Sequence, residues 1–378
     1  MKKVCYVSTV AWSLKVYMMP HISRIAMRHR VTLAADNISE LELKNLEYDI
    51  SKKDISILRQ INLFSDLVTL FKLWQFFRKN RFYCVHSIMP KAGLLSMIAA
   101  AAACVPVRLH TFTGQVWTTR TGVLRRFLMF MDRLTALFST RVLADSLLQR
   151  DFLIANKIVK SSKIEVLGAG SIAGVNTNRF VPNSKVRLDV RCELGIEHDD
   201  LVFLFIGRLN KDKGIFDLLK AFELVCPNFP NSHLILVGPD EGNFDEYILT
   251  LNDSLKNKIH RAGFTEMPER YMASADIYCL PSYREGFNSV ILEASATCIP
   301  TIASRINGIV DSVVEGVTGI LYEPGNVQEL TIAMTMLSEN QSLRLKMGAA
   351  ARIHVIEHFS EARITNAFEM FYHRQGVI

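Results

Sequence analysis

Short apolar runs alternate with longer amphipathic stretches from one end of this chain to the other. Runs of roughly four to eight apolar residues suit buried parallel strands, and the segments between them have the spacing of crossover helices. In the first half the pattern predicts strands at residues 3–8, 31–35, 83–87, 107–112, 140–144 and 163–167. Strands and helices that alternate in this way predict an α/β fold with parallel sheets.

The pattern restarts after a polar segment at residues 181–200, which we interpret as a domain linker with room for one short helix. Further strands are predicted at residues 201–206, 233–237, 258–262, 277–280 and 301–303, and a last amphipathic helix at 359–373. A single core rarely grows beyond about 250 to 300 residues, so a chain of 378 residues is expected to form two domains. We predict two facing Rossmann-like, doubly wound parallel-sheet domains, at residues 1–182 and 183–359.

Several common nucleotide signatures are missing from the sequence. The loop after the first strand, residues 8–14, contains no glycine, so the dinucleotide fingerprint is absent there and NAD is not expected. The chain has no P-loop motif and no Asp-x-Asp pair to bridge a metal ion and a nucleoside diphosphate. The sequence therefore predicts no metal and no cofactor.

The charge is divided unequally along the chain. The formal net charge is +7, but residues 1–182 hold 26 Lys and Arg against 11 Asp and Glu, whereas residues 183–378 hold 18 against 26. The first half, at +15, is expected to meet an anionic partner: a membrane surface, a lipid-linked phosphate or nucleic acid. Residues 63–81 and 120–141 combine Phe and Leu with basic residues, and are interpreted either as interfacial helices or as ordinary helices on a sheet.

Cysteine usage and hydropathy bear on the cellular compartment. The seven cysteines are odd in number and show no Cys-x-x-Cys or zinc-ligand spacing, which indicates reduced thiols in a cytosol. The apolar stretch near the N-terminus is too short for a signal peptide. The alanine-rich run at residues 93–107 falls short of the roughly 20 residues that span a bilayer, so no transmembrane segment is expected.

Two loops of the second half carry the residues of a phosphate site. After strand 201–206, Gly207 and Gly214 permit a tight turn, and Arg208 and Lys213 place two cations that can hold a diphosphate leaving group. The alternative is a basic loop that merely precedes a helix.

The second loop follows strand 277–280 and leads into a helix. Its glycine-containing turn leaves backbone amides for a phosphate at Gly286, Phe287, Asn288 and Ser289. Glu285 precedes the turn, and Glu293 lies one helical turn after Ser289, where it can reach a sugar hydroxyl. The alternative is that both acids only stabilise the start of the helix.

These residues, together with Gly308 and the Glu-Gly-x-x-Gly run at 315–319, resemble the donor half of retaining glycosyltransferases of family 4, which have the GT-B fold. The resemblance covers essentially the whole chain and is most specific over residues 201–324. It implies that Arg208 and Lys213 neutralise the diphosphate of a nucleotide-sugar without a metal ion. It also implies that Glu285 contacts the transferred sugar and Glu293 the ribose, with the base against the loop at Phe264.

On the acceptor side the sequence departs from the family pattern. The family often has a Gly-Gly pair after the first strand, which is missing here, and a histidine near the transferred sugar. That histidine is either His110, shifted by three residues, or is replaced by Thr113, and His110 is otherwise a structural residue. Gln115 and Trp117 follow a strand end, where they either contact an acceptor or, for Trp117, anchor the core.

The runs at residues 111–117 and 291–296 resemble bacterial enzymes of O-antigen or capsule assembly. The resemblance implies transfer of a UDP-linked hexose or N-acetylhexosamine to a saccharide on a polyprenyl diphosphate. The first domain, joined by a C-terminal helix at residues 360–378, is then the acceptor domain and the second binds the nucleotide-sugar. We expect a cytoplasmic protein at the inner face of the plasma membrane, bound to its anionic surface and not to nucleic acid.

Two other functions remain open at this point. One is a sugar-nucleotide epimerase of the same two-domain fold, which consumes donor without an acceptor. The other is a non-catalytic module that docks through its basic half and binds no UDP.

Overall fold

A computed structural model describes residues 1–43, 48, 50–58 and 60–378 of the chain. The chain divides into two compact units, one formed by residues 1–174 and 361–378 and the other by residues 175–360. Each unit is a parallel sheet with α-helices between most of its successive strands, so the predicted α/β fold class is confirmed.

The first unit has a seven-stranded parallel sheet in the order β3-β2-β1-β4-β5-β6-β7. The strand order reverses between β1 and β4, which makes their carboxyl ends the switch point of a doubly wound sheet. The strands are β1 Lys3–Val10, β2 Arg30–Asp36, β3 Ile50–Asp54, β4 Cys84–Ile88, β5 Val107–Phe112, β6 Arg141–Ala144 and β7 Ile164–Val166.

Helices cover both faces of this sheet. They are α1 Ala11–Ser13, α2 Met19–Ala26, α3 Leu63–Asn80, α4 Pro90–Ala102, α5 Gly122–Phe138, α6 Leu147–Ala155 and, from the end of the chain, α15 Glu361–Arg374. One core cluster joins α15 to β1, β2 and α2 through buried residues that include Phe368 and Phe371. A second cluster on the other face joins α3 and α4, with Leu73, Phe77 and Ala92 among its members.

The second unit has a six-stranded parallel sheet in the order β10-β9-β8-β11-β12-β13. Its strands are β8 Leu201–Ile206, β9 Ser232–Val237, β10 Ile259–Gly263, β11 Ile277–Leu280, β12 Thr301–Ser304 and β13 Gly319–Tyr322. Its helices are α7 Ser184–Leu194, α8 Ile215–Val225, α9 Phe244–Leu249, α10 Asp253–Lys256, α11 Pro268–Ser274, α12 Ser289–Ala296, α13 Val327–Glu339 and α14 Gln341–His358.

Residues 181–200, predicted as a linker with room for one short helix, belong to the second unit and contain the 11-residue helix α7. This helix packs within the unit through the side chain of Arg191, which is only 1% exposed. That guanidinium donates to Asp276 Oδ2 at 2.8 Å and to three backbone carbonyls of residues 197–200. The segment is polar in sequence because a hydrogen-bonded arginine anchors it beside only two buried apolar side chains, Val190 and Ile196.

The structure also places the division between the units earlier than residues 182 and 183. The amide of Val175 donates to the carbonyl of Phe359 at 2.9 Å, and Val175 pairs with Ser360 in an isolated parallel bridge. This bridge joins residue 175 to the end of α14, so the second unit begins at residue 175 and ends at residue 360.

The two amphipathic stretches of the first half are both helical. Residues 63–80 form α3 and residues 122–138 form α5. Within the described part of the chain, no helix combines the length and the apolar character needed to cross a bilayer.

Candidate active site

The loops that carry the candidate phosphate residues begin at neighbouring strands. β8 and β11 pair in parallel, so their carboxyl ends lie at the same edge of the sheet. Gly214, in the loop after β8, has φ 68°, and a Cβ there would lie 1.9 Å from the carbonyl oxygen of Pro281. Glycine is therefore required for the two loops to touch.

This contact brings Lys213 and Glu285 together. The ammonium nitrogen of Lys213 lies 2.6 Å from Glu285 Oε1, and the two side chains are only 17% and 9% exposed. The turn that holds Lys213, Lys211–Lys213, is fixed by the side chain of Asn210, which accepts from the Lys213 amide at 3.1 Å. The site thus contains a partly desolvated cation in direct contact with a carboxylate.

Arg208 has a different partner. Its guanidinium donates to Glu241 Oε2 at 2.8 Å, and both side chains are about half exposed. Asn210 Nδ2 approaches the same oxygen at 3.4 Å. Glu241 is not among the predicted site residues, and its one signal in the sequence is the Gly-Pro-Asp-Glu-Gly run that follows β9 at residues 238–242.

Close backbone contact explains why the loop after β9 lies beside the loop after β8. Gly238 has φ 138°, and a Cβ at this residue would lie 2.0 Å from the carbonyl oxygen of Gly207. Gly207 itself donates its amide to Val237. Gly207 therefore shapes the backbone that carries Arg208.

The turn before α12 is held from two sides. The side chain of Asn288 caps the helix by accepting from the Ile291 amide at 3.2 Å, and the Asn288 amide donates to the Gly308 carbonyl at 3.2 Å. Gly308 has φ 89°, and a Cβ there would lie 1.6 Å from the Gly286 carbonyl oxygen. The first amides of α12, at Ser289 and beyond, have no intrahelical acceptor and suit an anion.

Two of the predicted donor residues make structural contacts through their side chains. Asn288 is buried as the helix cap, and the Phe287 ring packs on Phe359 with 5.6 Å between centroids. The Asn288 amide is engaged as well, with the Gly308 carbonyl, so the structure does not support the predicted contact of Asn288 with a phosphate. A contact of Phe287 with a phosphate would come from its backbone. Phe264, in contrast, is 66% exposed on the loop after β10.

Glu293 lies in α12 beside a second group of charged residues. Burial raises the pKa of its carboxyl to about 8, although Arg179 opposes this rise and Glu269 adds to it. Arg179 donates to Glu269 Oε2 at 2.7 Å and to the carbonyl of Glu266 in the loop that follows β10. The sequence analysis missed Arg179, which lies in an irregular segment with no periodic pattern.

Glu285 and Glu293 both affect the pKa of the buried Tyr278 hydroxyl. Burial raises the pKa of Tyr278 well above its usual range, and both carboxylates add to the rise. The carboxylates of Glu285 and Glu293 therefore both lie near enough to Tyr278 for their charges to act on its hydroxyl.

In the first unit, the environment of His110 supports the structural alternative. The ring is 1% exposed on β5, its Nδ1 lies 2.9 Å from Ser87 Oγ, and Phe112 meets it edge-on. Burial lowers the pKa of His110 to about 3, so the ring is neutral. α4 covers it so closely that a Cβ at Gly93 would lie 2.3 Å from the ring.

Trp117 likewise has the environment of a core anchor. It is 1% exposed, its ring stacks on Phe152 with 5.1 Å between centroids, and its Nε1 donates to Asp132 Oδ2 at 2.8 Å. Gln115 is also buried, and its Nε2 has no hydrogen-bond partner among the residues that the structure describes. Thr113 is half-buried after β5.

The second unit thus presents a cation, a carboxylate and a helix N-terminus at one sheet edge, in a chain of two Rossmann-like units. This combination defines the class of GT-B glycosyltransferases. Residues 187–354 match the family model of the glycosyl transferases group 1, and residues 25–170 match that of a glycosyl transferase 4-like domain. The chain is 31% identical over 337 residues to the capsular polysaccharide biosynthesis glycosyltransferase CapM of Staphylococcus aureus, covering 88% of this chain and 87% of CapM. It belongs to the group 1 glycosyltransferases and is an enzyme of that class.

Other known proteins agree with this assignment. The UDP-Gal:α-D-GlcNAc-diphosphoundecaprenol α-1,3-galactosyltransferase of Escherichia coli is 26% identical over 322 residues, covering 84% of this chain and 82% of the relative. Among solved structures, Anabaena HepE in complex with UDP superposes with a TM-score of 0.81 at 20% identity, over 99% of this chain and all of HepE. The lipopolysaccharide glycosyltransferase WaaG superposes with a TM-score of 0.75 at 15% identity, over 98% of this chain and 99% of WaaG. These two structures support the fold.

Proposed function

We propose that this enzyme transfers a hexose or N-acetylhexosamine from a UDP-sugar to a saccharide on a polyprenyl diphosphate, without a metal ion and with retention of the anomeric configuration. The product belongs to O-antigen or capsule biosynthesis. The second unit binds the donor and the first unit binds the acceptor. The enzyme works at the cytoplasmic face of the plasma membrane.

The contact between Lys213 and Glu285 at the phosphate-ready end of α12 carries this proposal. Negative charge builds on the diphosphate as the bond from the anomeric carbon to the phosphate oxygen breaks. Lys213, Arg208 and the amides at the start of α12 are preorganised to stabilise that charge. Glu285 faces the sugar, where a carboxylate stabilises the positive charge that develops on the ring.

The proposed reaction needs no additional general acid or base. The departing UDP takes the electron pair of the broken bond, and the acceptor oxygen bonds to the anomeric carbon on the same face. The acceptor proton moves to the departing phosphate. Glu293 and Arg179 then serve the nucleoside end of UDP, since Arg179 holds the loop after β10 through the Glu266 carbonyl.

The choice of donor and acceptor draws on the relatives. The Escherichia coli relative uses UDP-galactose and a diphosphoundecaprenol-linked sugar, and CapM acts in capsule biosynthesis. The net charge of +15 in the first half favours an anionic, membrane-bound acceptor. Membership of a glycosyltransferase family favours transfer over an epimerase reaction or a non-catalytic docking role.

The test is a donor screen with and without an acceptor. UDP-glucose, UDP-galactose and their N-acetylamino forms are each incubated with the enzyme and undecaprenyl-diphosphate-linked GlcNAc, and UDP release is measured. We expect one donor to release UDP at least tenfold faster with the acceptor, and the new linkage to keep the donor's anomeric configuration by NMR. Acceptor-independent interconversion of a UDP-sugar would contradict transfer, and an inverted linkage would contradict retention.

A further inference from the structure

The first half of α3 is apolar on its exposed side. Leu63, Phe64, Leu67 and Phe71 are between 55% and 80% exposed, whereas the core contacts of α3 come mainly from its second half. Because they remain exposed, these four side chains contribute little to the stability of the fold. Such a patch usually marks an interaction surface.

An apolar groove continues this patch between α3 and α4. Its volume is about 260 Å³, and α3 lines it with Leu67, Leu70, Phe71 and Trp74. α4 contributes only alanine and isoleucine side chains. None of the described lining residues is charged, so the chemistry of the groove fits a hydrocarbon chain.

A basic cavity lies on the other side of the same helix. Its volume is about 570 Å³, and among the residues that the structure describes its charged lining consists of Lys53, Lys72 and Lys79 with one acid, Asp54. The Asp54 carboxylate already accepts from the amide of Ser39 at 3.1 Å. Three ammonium groups against one engaged carboxylate fit a phosphate group.

We infer that α3 is a lipid-docking element, with the α3–α4 groove taking a hydrocarbon chain and the lysine-lined cavity the phosphate headgroups of an anionic bilayer. A lipid contains both an apolar chain and a charged headgroup, and α3 lines both sites. α5 adds a matching surface, because Val123, Leu124 and Phe130 are exposed beside Arg125 and Arg126. Apolar and basic side chains mixed in this way are typical of interfacial helices.

The inference rests on the proposed function in one respect, namely that the enzyme acts at a membrane. α3 follows β3 and therefore starts at the carboxyl edge of the first unit's sheet. Doubly wound domains bind their ligands at that edge. Docking through α3 would hold a membrane-bound acceptor near the carboxyl edge of this sheet.

The test is sedimentation of the full chain with vesicles of phosphatidylglycerol and phosphatidylethanolamine, and with phosphatidylcholine vesicles. We expect binding to the anionic vesicles that weakens at high salt. The K72Q/K79Q variant should bind them about 30-fold more weakly, since each basic residue near an anionic surface is worth about 1 kcal/mol. The F64S/F71S variant should lose most binding, and its melting temperature shows whether it remains folded.

A matched control uses exposed apolar residues of the second unit, Leu345 and Ile353, in the L345S/I353S variant, which should bind like the wild type. Equal loss in the control, an unchanged K72Q/K79Q variant, or wild type that stays in the supernatant at low salt would overturn the inference. UDP calorimetry on the same samples separates the proposals. UDP binding without vesicle binding contradicts only the docking surface, and vesicle binding without UDP binding contradicts only the donor site.

Discussion

The ammonium of Lys213 lies 2.6 Å from a carboxylate oxygen of Glu285, which joins the loop after β8 to the loop after β11. In the proposed mechanism, a donor diphosphate and the Glu285 carboxylate would compete for this one cation. This geometry couples the leaving group to the sugar side of the site. Substitutions at the two residues should consequently affect catalysis and UDP binding in different ways.

Glu285→Gln should separate turnover from nucleotide affinity. The variant keeps the shape of the side chain but removes the charge that would stabilise the sugar ring, so transfer should fall at least 100-fold. UDP affinity should stay the same or rise slightly, because Lys213 loses its competitor. Initial rates and UDP calorimetry on one preparation measure both. A variant with wild-type turnover would contradict the role of Glu285.

Lys213→Ala and Arg208→Ala should each weaken UDP binding. A hydrogen bond to a charged group contributes about 1.5 to 3 kcal/mol, which corresponds to roughly a 10-fold to 100-fold rise in Kd. Lys220, an exposed lysine of α8, provides the matched control, and Lys220→Ala should leave Kd unchanged. An equal effect of the control would indicate a general charge effect instead of a phosphate contact.

Glu293 should make the stability of the enzyme depend on pH. Burial raises the pKa of its carboxyl from 4.5 to about 8, so between these values the folded chain binds more protons than the unfolded chain. The free energy of unfolding therefore falls as pH rises through this window and levels off above about pH 8. Glu293→Gln stays neutral, so its melting temperature relative to wild type should rise between pH 5 and pH 8.5. A constant difference at both pH values would contradict the raised pKa.

Gly308→Ala should disrupt the phosphate turn. Both Gly308 and Gly316 have positive φ, 89° and 72°, but only a Cβ at Gly308 meets another atom, the Gly286 carbonyl oxygen at 1.6 Å. Gly316→Ala therefore introduces backbone strain without a steric clash, and it is the matched control. We expect loss of UDP binding in the first variant and near-normal binding in the second, measured by calorimetry. Similar binding by the two variants would contradict the clamping role of Gly308.

Trp117→Phe should destabilise the first unit and leave acceptor binding unchanged. Burial raises the pKa of Asp132 to about 6, and the hydrogen bond from Trp117 works against that rise. Removing the donor leaves a buried acceptor unpaired, at a cost of about 1 to 3 kcal/mol, seen as a lower melting temperature. If the KM for the acceptor rose while the melting temperature stayed constant, Trp117 would be an acceptor contact and not a core anchor.

The convergence of Lys213 and Glu285 was predictable because the carboxyl ends of neighbouring parallel strands share one edge. The partners of Arg208 and Glu293 could not be predicted from the sequence. Glu241 and Arg179 lie in irregular segments, and their contacts depend on backbone approaches that no periodic pattern records. The burial of His110 was not predictable for a similar reason. It depends on a close backbone approach, because only a glycine at position 93 lets α4 cover the ring.

The strands, too, were predictable only where the sequence has a clear apolar pattern. β8 and β11 were predicted with their observed bounds, because both are short apolar runs at the centre of a sheet. β3 and β13 were missed. β3, with the sequence ISKKD, is an exposed edge strand without apolar alternation, and β13 is an edge strand of four residues.

The central claim is that fixed cations and helix-end amides, and not a divalent ion, stabilise the diphosphate as the glycosidic bond breaks. The most direct test is the transfer rate of the wild-type enzyme in excess EDTA, compared with the rate in millimolar Mg²⁺. We expect equal rates within about twofold. A rate that collapses in EDTA and returns on adding Mg²⁺ would contradict it.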